Sequence, residues 1–334
     1  MTMISFGDLA QSFLLKSQTA RLKADSGRIT QELASGRVSD VGAAVSGDYS
    51  LLSGLARSHD LAKGYLGAAR EAAFHTNAVQ TIVAHVSENT QALVSPLLLA
   101  SQVGSPDQID LAVTEARTRL DGVLASLNTS LAGRALLSGV TVGSAAVRDA
   151  DTILSALRAQ VAGALTAEDA MSRISDWFDD PAGFTALAYQ GGANLADLAV
   201  SATDSVGLGP TANDVAFRSA LKGLTAAALL TDPALGLPTA AVQDFAQLAA
   251  RQVIAGQDDL TQLAAHIGMA EGRIEAIQSR HSAEVLSFEL AQAELLQGDP
   301  YRLASELEAV QTNLETVYAV TARLSRLSLT DFLR

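Results

Sequence analysis

Residues 299–334, DPYRLASELEAVQTNLETVYAVTARLSRLSLTDFLR, decide the fold that this sequence predicts. After the break at Gly298-Asp299-Pro300, five apolar residues recur in alternating steps of four and three, which is the spacing of a coiled-coil seam, and a sixth follows seven residues later. The seam consists of Leu303, Leu307, Val310, Leu314, Val317 and Leu324, and the stretch ends with Leu327, Leu329 and Phe332. A helix with one apolar stripe cannot bury that stripe alone, so the stretch predicts a helix that needs a partner.

Residues 1–35 carry a matching pattern at the other end of the chain. Gly36 follows the pattern where a helix C-terminus favours glycine, and Phe6, Leu9 and Phe13 are expected to extend the apolar face. The N-terminal seam consists of Leu15, Leu22, Ile29 and Leu33. We predict that the two terminal helices pair, either within one chain or with neighbouring molecules, and that both seams form an assembly interface.

The sequence between the terminal helices predicts a mainly α protein with a small β part. Glycine punctuates short β-capable runs in 128–148, which favours a hairpin, and partial alternation in 187–210 favours strands. Pro96 and Gly256 are expected to weaken long helices, and 151–177 is expected to be helical.

These segments predict three domains, with a long helical bundle built from both termini. The terminal coiled-coil domain comprises 1–38 and 299–334. A helical bundle domain with the hairpin comprises 39–150 and 239–298, and an outer α+β lobe comprises 151–238.

Composition argues against several classes of function. The 334 residues include 48% hydrophobic but only 4% aromatic residues, which suits close helix packing. A net charge of −13 without a basic cluster argues against nucleic acid as a partner. The chain has no Cys, which excludes disulfides and thiolate metal sites, and it has no signal-peptide pattern and no apolar run of about 18 residues for membrane insertion.

Catalytic motifs are also missing from the sequence. No HExxH or Gly-x-Ser-x-Gly occurs, and Gly207-Leu208-Gly209-Pro210 is typical of a turn and lacks the pattern of a phosphate loop. We therefore predict no catalytic residue, metal or cofactor, although an enzyme on the middle lobe stays an alternative. His281 lies in an apolar seam as a packed residue, and Trp177-Phe178 is either local core or a contact with a neighbour.

Three patches resemble bacterial flagellins and flagellar hook-associated proteins. At the C-terminus, Gln311, Leu314, Tyr318 and the ending Leu-Ser-Leu-x-x-Phe-Leu of 327–333 occupy the places of the family's pattern. Leu33, Ser35, Gly36 and Arg37 resemble the turn after the family's first helix, but only Asp40 stands where the family usually has an Asn and a paired Asp. Asn128 and the Gly-x-x-Leu-Leu-Ser-Gly of 133–139 resemble a third family segment.

The resemblance implies a structural component of the flagellum, located outside the cell and exported unfolded through the flagellar type III channel. The altered N-terminal turn and the modest middle region favour an adaptor at the hook–filament junction, like hook-associated protein 3, and flagellin itself is the alternative. The implied partners are hook-associated protein 1, flagellin, copies of this chain and an export chaperone. A coiled-coil protein of a phage or another secretion system is a further alternative, which the C-terminal pattern disfavours.

Overall fold

The computed structural model describes the backbone of residues 6–332 and the side chains of residues 10–324. This part of the chain is mainly α, with two small antiparallel sheets, as the sequence predicts. The elements in chain order are α1 (Phe6–Ser35), α2 (Val41–Ala44), α3 (Ser50–Gln91), α4 (Val94–Val103), α5 (Pro106–Leu127), β1 (Ser130–Leu131), β2 (Arg134–Ala135), α6 (Ala150–Val161), α7 (Ala167–Asp179), α8 (Phe184–Leu187), β3 (Leu198–Ala199), β4 (Ser205–Val206), α9 (Val215–Ala228), α10 (Thr239–Leu295) and α11 (Pro300–Phe332).

The chain divides into two compact units. Unit 1 comprises Met1–Lys63 and Ser282–Arg334, and unit 2 comprises Gly64–His281. In unit 1 the two terminal helices, α1 and α11, pack against each other. The three-domain division given above stays a prediction.

Unit 2 is built around one large apolar core. Helices α5 and α9 pack together, and α7 contacts both α6 and α9. The rings of Phe178 and Phe184 stack, and Trp177 meets both of them edge-on. Because Trp177 is almost fully buried among these rings, it belongs to the local core of unit 2.

Gly256 does not weaken α10, contrary to the sequence expectation, because α10 continues without a break to Leu295. Its role is to let α9 approach closely. A Cβ added at Gly256 would lie 3.1 Å from the Cα of Ala220, and one added at Gly223 would lie 2.9 Å from the backbone nitrogen of Val253. The two glycines thus remove side-chain bulk from both sides of one helix crossing.

Pro96 interrupts the long helical stretch about one turn before its own position in the chain. Helix α3 ends at Gln91 and α4 begins at Val94, so Pro96 lies inside α4. A proline ring clashes with the carbonyl four residues before it, which here belongs to Ala92, and supplies no N–H for that carbonyl. The stretch 151–177 also differs from the prediction, because it forms two helices separated by a loop in which Gly163 has φ +74°.

The two sheets lie where the sequence predicts extended structure. Strands β1 and β2 pair with Ser130 opposite Ala135, and their tight turn places Ala132 and Gly133 at positive φ. Strands β3 and β4 pair with Leu198 opposite Val206. The second hairpin covers a small separate core of unit 2, and its Val200 carbonyl accepts a hydrogen bond of 2.9 Å from buried His281, whose ring stacks on Tyr65.

Candidate assembly interface

The candidate interface begins with the residues that start α11. The Asp299 carboxylate accepts the N–H groups of Tyr301 (2.9 Å) and Arg302 (3.4 Å), so it caps the helix, and Pro300 occupies the first turn, where its missing N–H has no consequence. Leu303 is only 1% exposed. The predicted break at Gly298-Asp299-Pro300 therefore both ends the preceding helix and starts the terminal one.

The seam predicted for α11 is the face that α11 buries. From residue 304 to residue 324 the half-buried positions are the predicted seam residues together with Glu306, and the remaining positions are exposed. Those seam residues are Leu307, Val310, Leu314, Val317 and Leu324. Since α11 packs against α1, the residues spaced in alternating steps of four and three lie on the side of α11 that faces the other terminal helix.

On α1 the seam is buried most completely near its C-terminal end. Ile29 is 2% exposed, and Leu22 and Leu15, one and two heptads earlier, are half-buried. Leu33 remains 39% exposed, because the buried position in this last turn is taken by Glu32. Phe13 does not extend the seam as expected, since it is 72% exposed.

Some predicted interface residues lie outside the described side chains. The backbone of α11 includes positions 327, 329 and 332, but the side chains of Leu327, Leu329 and Phe332 lie outside the described residues, as do those of Phe6 and Leu9. Their place in the interface stays a prediction.

A buried carboxylate organises the turn after α1. Glu32 is 2% exposed and accepts hydrogen bonds from the Ser39 N–H (2.9 Å) and the Arg28 guanidinium (2.9 Å). Burial favours the neutral carboxyl, but these donors outweigh it and hold the pKa of Glu32 below its usual value. Sequence reasoning missed Glu32, although Arg28 four residues earlier was a local signal.

Backbone hydrogen bonds join the two ends of this turn to the chain before α11. The Gly298 N–H donates to the Gly36 carbonyl (3.0 Å), and the Val38 N–H donates to the Leu296 carbonyl (3.0 Å). Gly36 has φ +69°, a conformation that favours glycine. The helix pair thus has a fixed antiparallel register at this end.

The outward sides of the pair keep large apolar residues in solvent. On α1 Leu14 is 58% exposed, and on α11 Tyr301 is 84% and Val320 43% exposed. Exposed apolar residues in unit 1 also include Tyr49, Leu51, Leu61, Leu286, Leu290 and Tyr318. This apolar surface is available for packing against another molecule.

The third motif patch has a structural role inside unit 2. The Asn128 side chain accepts the Val147 N–H (2.8 Å) and donates to the Val147 carbonyl (2.9 Å), so it clamps the base of the 128–148 loop. Gly139 has φ +59°, and a Cβ there would lie 2.1 Å from the Ala193 carbonyl oxygen. The motif residues therefore hold two loops together.

The described residues contain no group of three or more His, Asp or Glu side chains that could hold a metal ion. Two clefts of unit 2 measure about 330 Å³ and 530 Å³, the first beside the 230–237 loop and the second beside Trp177. No helix among the described residues is long and apolar enough to span a bilayer.

Comparison with known proteins gives a structural likeness. No protein-family model and no curated protein matches this sequence. Among the solved structures of similar fold is that of a protein from Vibrio parahaemolyticus, provisionally identified as a flagellar hook-associated protein. It superposes with a TM-score of 0.50 at 14% sequence identity, covering 73% of this chain and 95% of that chain. At this identity the likeness concerns the fold and transfers no residue roles.

Proposed function

We propose that this chain is a structural component of the bacterial flagellum, an adaptor at the hook–filament junction that assembles through its terminal helices. The observation that carries the proposal is the α1–α11 pair, which buries one seam and leaves apolar residues of both helices in solvent. A subunit that packs against neighbours along its length needs such a second face, whereas a monomer gains nothing from exposing it.

Two further observations support a flagellar role. The sequence patterns at the C-terminus, at the turn after α1 and at Asn128 resemble those of flagellins and hook-associated proteins. The fold is similar to that of a protein provisionally identified as a flagellar hook-associated protein. Under this proposal the neighbours are hook-associated protein 1, flagellin and other copies of this chain, and an export chaperone holds the chain before secretion.

Deletion of residues 320–334 tests the proposal in the organism that carries the gene. The deletion removes the last seam residue of α11, Leu324, and the apolar ending that follows it. We expect a null strain complemented with this truncation to lose motility and to shed or lack filaments, while the full-length chain restores them. A Leu165→Ser variant, changed at a loop position of unit 2 where the side chain is 84% exposed, is the matched control and should swim normally. Unchanged motility and filament growth in the truncated strain would refute the proposal.

The amount of the chain in sheared flagella separates the adaptor from the filament subunit. An adaptor occurs in few copies per flagellum, so we expect a trace component beside a dominant flagellin in quantitative mass spectrometry. If this chain is itself the dominant protein of sheared filaments, it is a flagellin and the junction role is wrong.

A further inference from the structure

We infer that the outward face of α1 in one copy docks against the outward face of α11 in a second copy, through an arginine stripe (Arg21, Arg28) and a glutamate stripe (Glu308, Glu315). This inference rests on the proposed function, because it specifies how copies of the chain meet side by side. It concerns faces that the pairing within one chain leaves in solvent.

The arginine stripe is an exposed row along α1. Arg21 and Arg28 lie seven residues apart, so they project from nearly the same side of the helix about 10 Å apart along its axis. Both are exposed, and neither belongs to the seam. Exposed Ala24 lies between them, and about 100° around the helix a Cβ added at Gly27 would meet nothing within 4 Å. The surface beside the arginines is therefore open and low enough for another helix to approach.

The glutamate stripe has the same spacing on α11. Glu308 and Glu315 are seven residues apart and exposed. No ion pair is found for either carboxylate among the described residues, whereas Glu306, on the opposite side of α11, pairs with Arg302 at 2.8 Å. One chain thus presents two cations and two anions at equal separation on different helices, which is complementarity between copies.

The register within one copy brings the stripes to the same height in neighbouring copies. Counted from the paired Gly36 and Gly298, Arg21 lies 15 residues along α1 and Glu315 lies 17 residues along α11. At a rise of 1.5 Å per residue, these distances are about 22 Å and 25 Å. Arg28 and Glu308 match in the same way, at about 12 Å and 15 Å. An offset of about 3 Å is within the reach of an Arg–Glu pair.

This match has a consequence for assembly symmetry. Copies related by rotation about an axis parallel to the helices need no shift along the helices to pair Arg21 with Glu315 and Arg28 with Glu308. Such a contact joins two different faces, so one copy of a pair keeps its glutamate stripe free and the other keeps its arginine stripe free for further copies. Heterologous contacts of this kind build rings or helical tubes rather than isolated dimers.

Arg28 is partly engaged already, because one of its N–H groups donates to Glu32 in the same chain at 2.9 Å. Its side chain is 43% exposed. A guanidinium has five N–H donors in a fixed plane, so the bond to Glu32 leaves donors for a second carboxylate and also holds the side chain in place.

Cross-linking between single-cysteine variants tests the inference, since the native chain contains no Cys. Ala24→Cys lies between the two arginines, and Thr312→Cys lies between the two glutamates. The two full-length variants carry different affinity tags, so that only cross-links between copies are scored after treatment with a short bismaleimide. Ala24→Cys mixed with Thr118→Cys, an exposed position of α5, is the matched control.

We expect the 24–312 cross-link to exceed the 24–118 cross-link severalfold at low salt and to weaken as salt increases. Arg21→Glu with Arg28→Glu in the first variant should lower its yield about tenfold, because two attractions become repulsions. Glu308→Arg with Glu315→Arg in the second variant should then restore it. Restoration by the exchanged charges excludes misfolding as the cause of the loss.

Three results would overturn the inference: equal yields at 312 and 118, a yield that the reversed arginines leave unchanged, or no restoration by the exchanged charges. Failure of the inference is distinguishable from failure of the proposed function. If the cross-link is absent but the chain is found in sheared flagella, only the charged stripes are wrong. If the cross-link forms but the chain is absent from flagella, the copies associate for another purpose.

Discussion

Replacing Ile29 by Ala should loosen the terminal helix pair while leaving unit 2 intact. Ile29 is 2% exposed and is the most buried seam residue of α1, so the substitution removes three carbon atoms from a packed site. Truncation of a buried Ile to Ala costs about 2–5 kcal/mol, and the half-buried neighbouring seam places this site near 2–3 kcal/mol. Leu14→Ala, 58% exposed on the same helix, is the matched control and should cost about 0.5 kcal/mol or less.

Hydrogen exchange read by mass spectrometry measures this effect in α1 and α11 directly. Since each 1.4 kcal/mol changes an opening equilibrium tenfold, Ile29→Ala should accelerate amide exchange in both helices by about 30- to 150-fold. Leu14→Ala should accelerate it by about twofold or less. The single tryptophan, Trp177, lies in unit 2, so its fluorescence reports whether that unit unfolds at an unchanged denaturant concentration.

Two results would refute the reasoning. If Ile29→Ala and Leu14→Ala accelerate exchange equally, the seam does not hold the pair together. If α1 exchanges faster but α11 does not, then the two helices are not stabilised by each other.

Three further predictions concern single contacts. The pKa of Glu32 is lowered in the folded chain, so the stabilisation of unit 1 by this carboxylate is complete above the usual glutamate pKa and is lost as pH falls through the folded value. Amide exchange in α1 should therefore accelerate between neutral and acidic pH. The Glu32→Gln variant should lack this acid-induced acceleration. Gly256→Ala should destabilise unit 2 by about 1–3 kcal/mol, because the added Cβ would press on Ala220, and urea unfolding followed by Trp177 fluorescence measures this loss. The control is Gly268→Ala, whose Cβ would meet nothing within 4 Å and which should stabilise unit 2 by about 0.5–1 kcal/mol. Equal effects of the two substitutions would contradict the close approach of α9. Asn128→Ala should cost about 1–3 kcal/mol and expose the 128–148 loop to proteolysis, because it leaves both polar groups of Val147 without their partner, and a loop as resistant as the native one would contradict the clamp.

The sequence predicted the terminal helices well because their signals are local. The break at Gly298-Asp299-Pro300, the glycine at 36 and the heptad spacing all act within a few residues of the backbone that they shape. The same locality explains the hairpin at 130–135, whose turn depends on Gly133.

Features that depend on distant residues were missed or misplaced. The sequence alone predicted that Gly256 weakens α10. In the structure Ala220 of α9 lies against Gly256, and the absence of a side chain there lets the two helices approach closely. Glu32 was not singled out from the sequence, because its burial and its bond from the Ser39 N–H depend on how the chain turns after α1. Phe13 was expected to extend the apolar face, but it lies two residues before Leu15, about 200° around the helix from the seam, and it faces solvent.

By itself the sequence determined that both chain ends are helices and which side of each helix is apolar, since helical period and capping are properties of neighbouring residues. The tertiary structure decided that these two sides face each other, and it fixed their register through the backbone bonds between Gly36 and Gly298. The paired glycines are more than 250 residues apart in the sequence, so no local pattern encodes this register. The same register places Arg21 and Arg28 of α1 at nearly the same height as Glu315 and Glu308 of α11. The sequence shows these charges, but only the folded helix pair makes them a candidate contact between two copies.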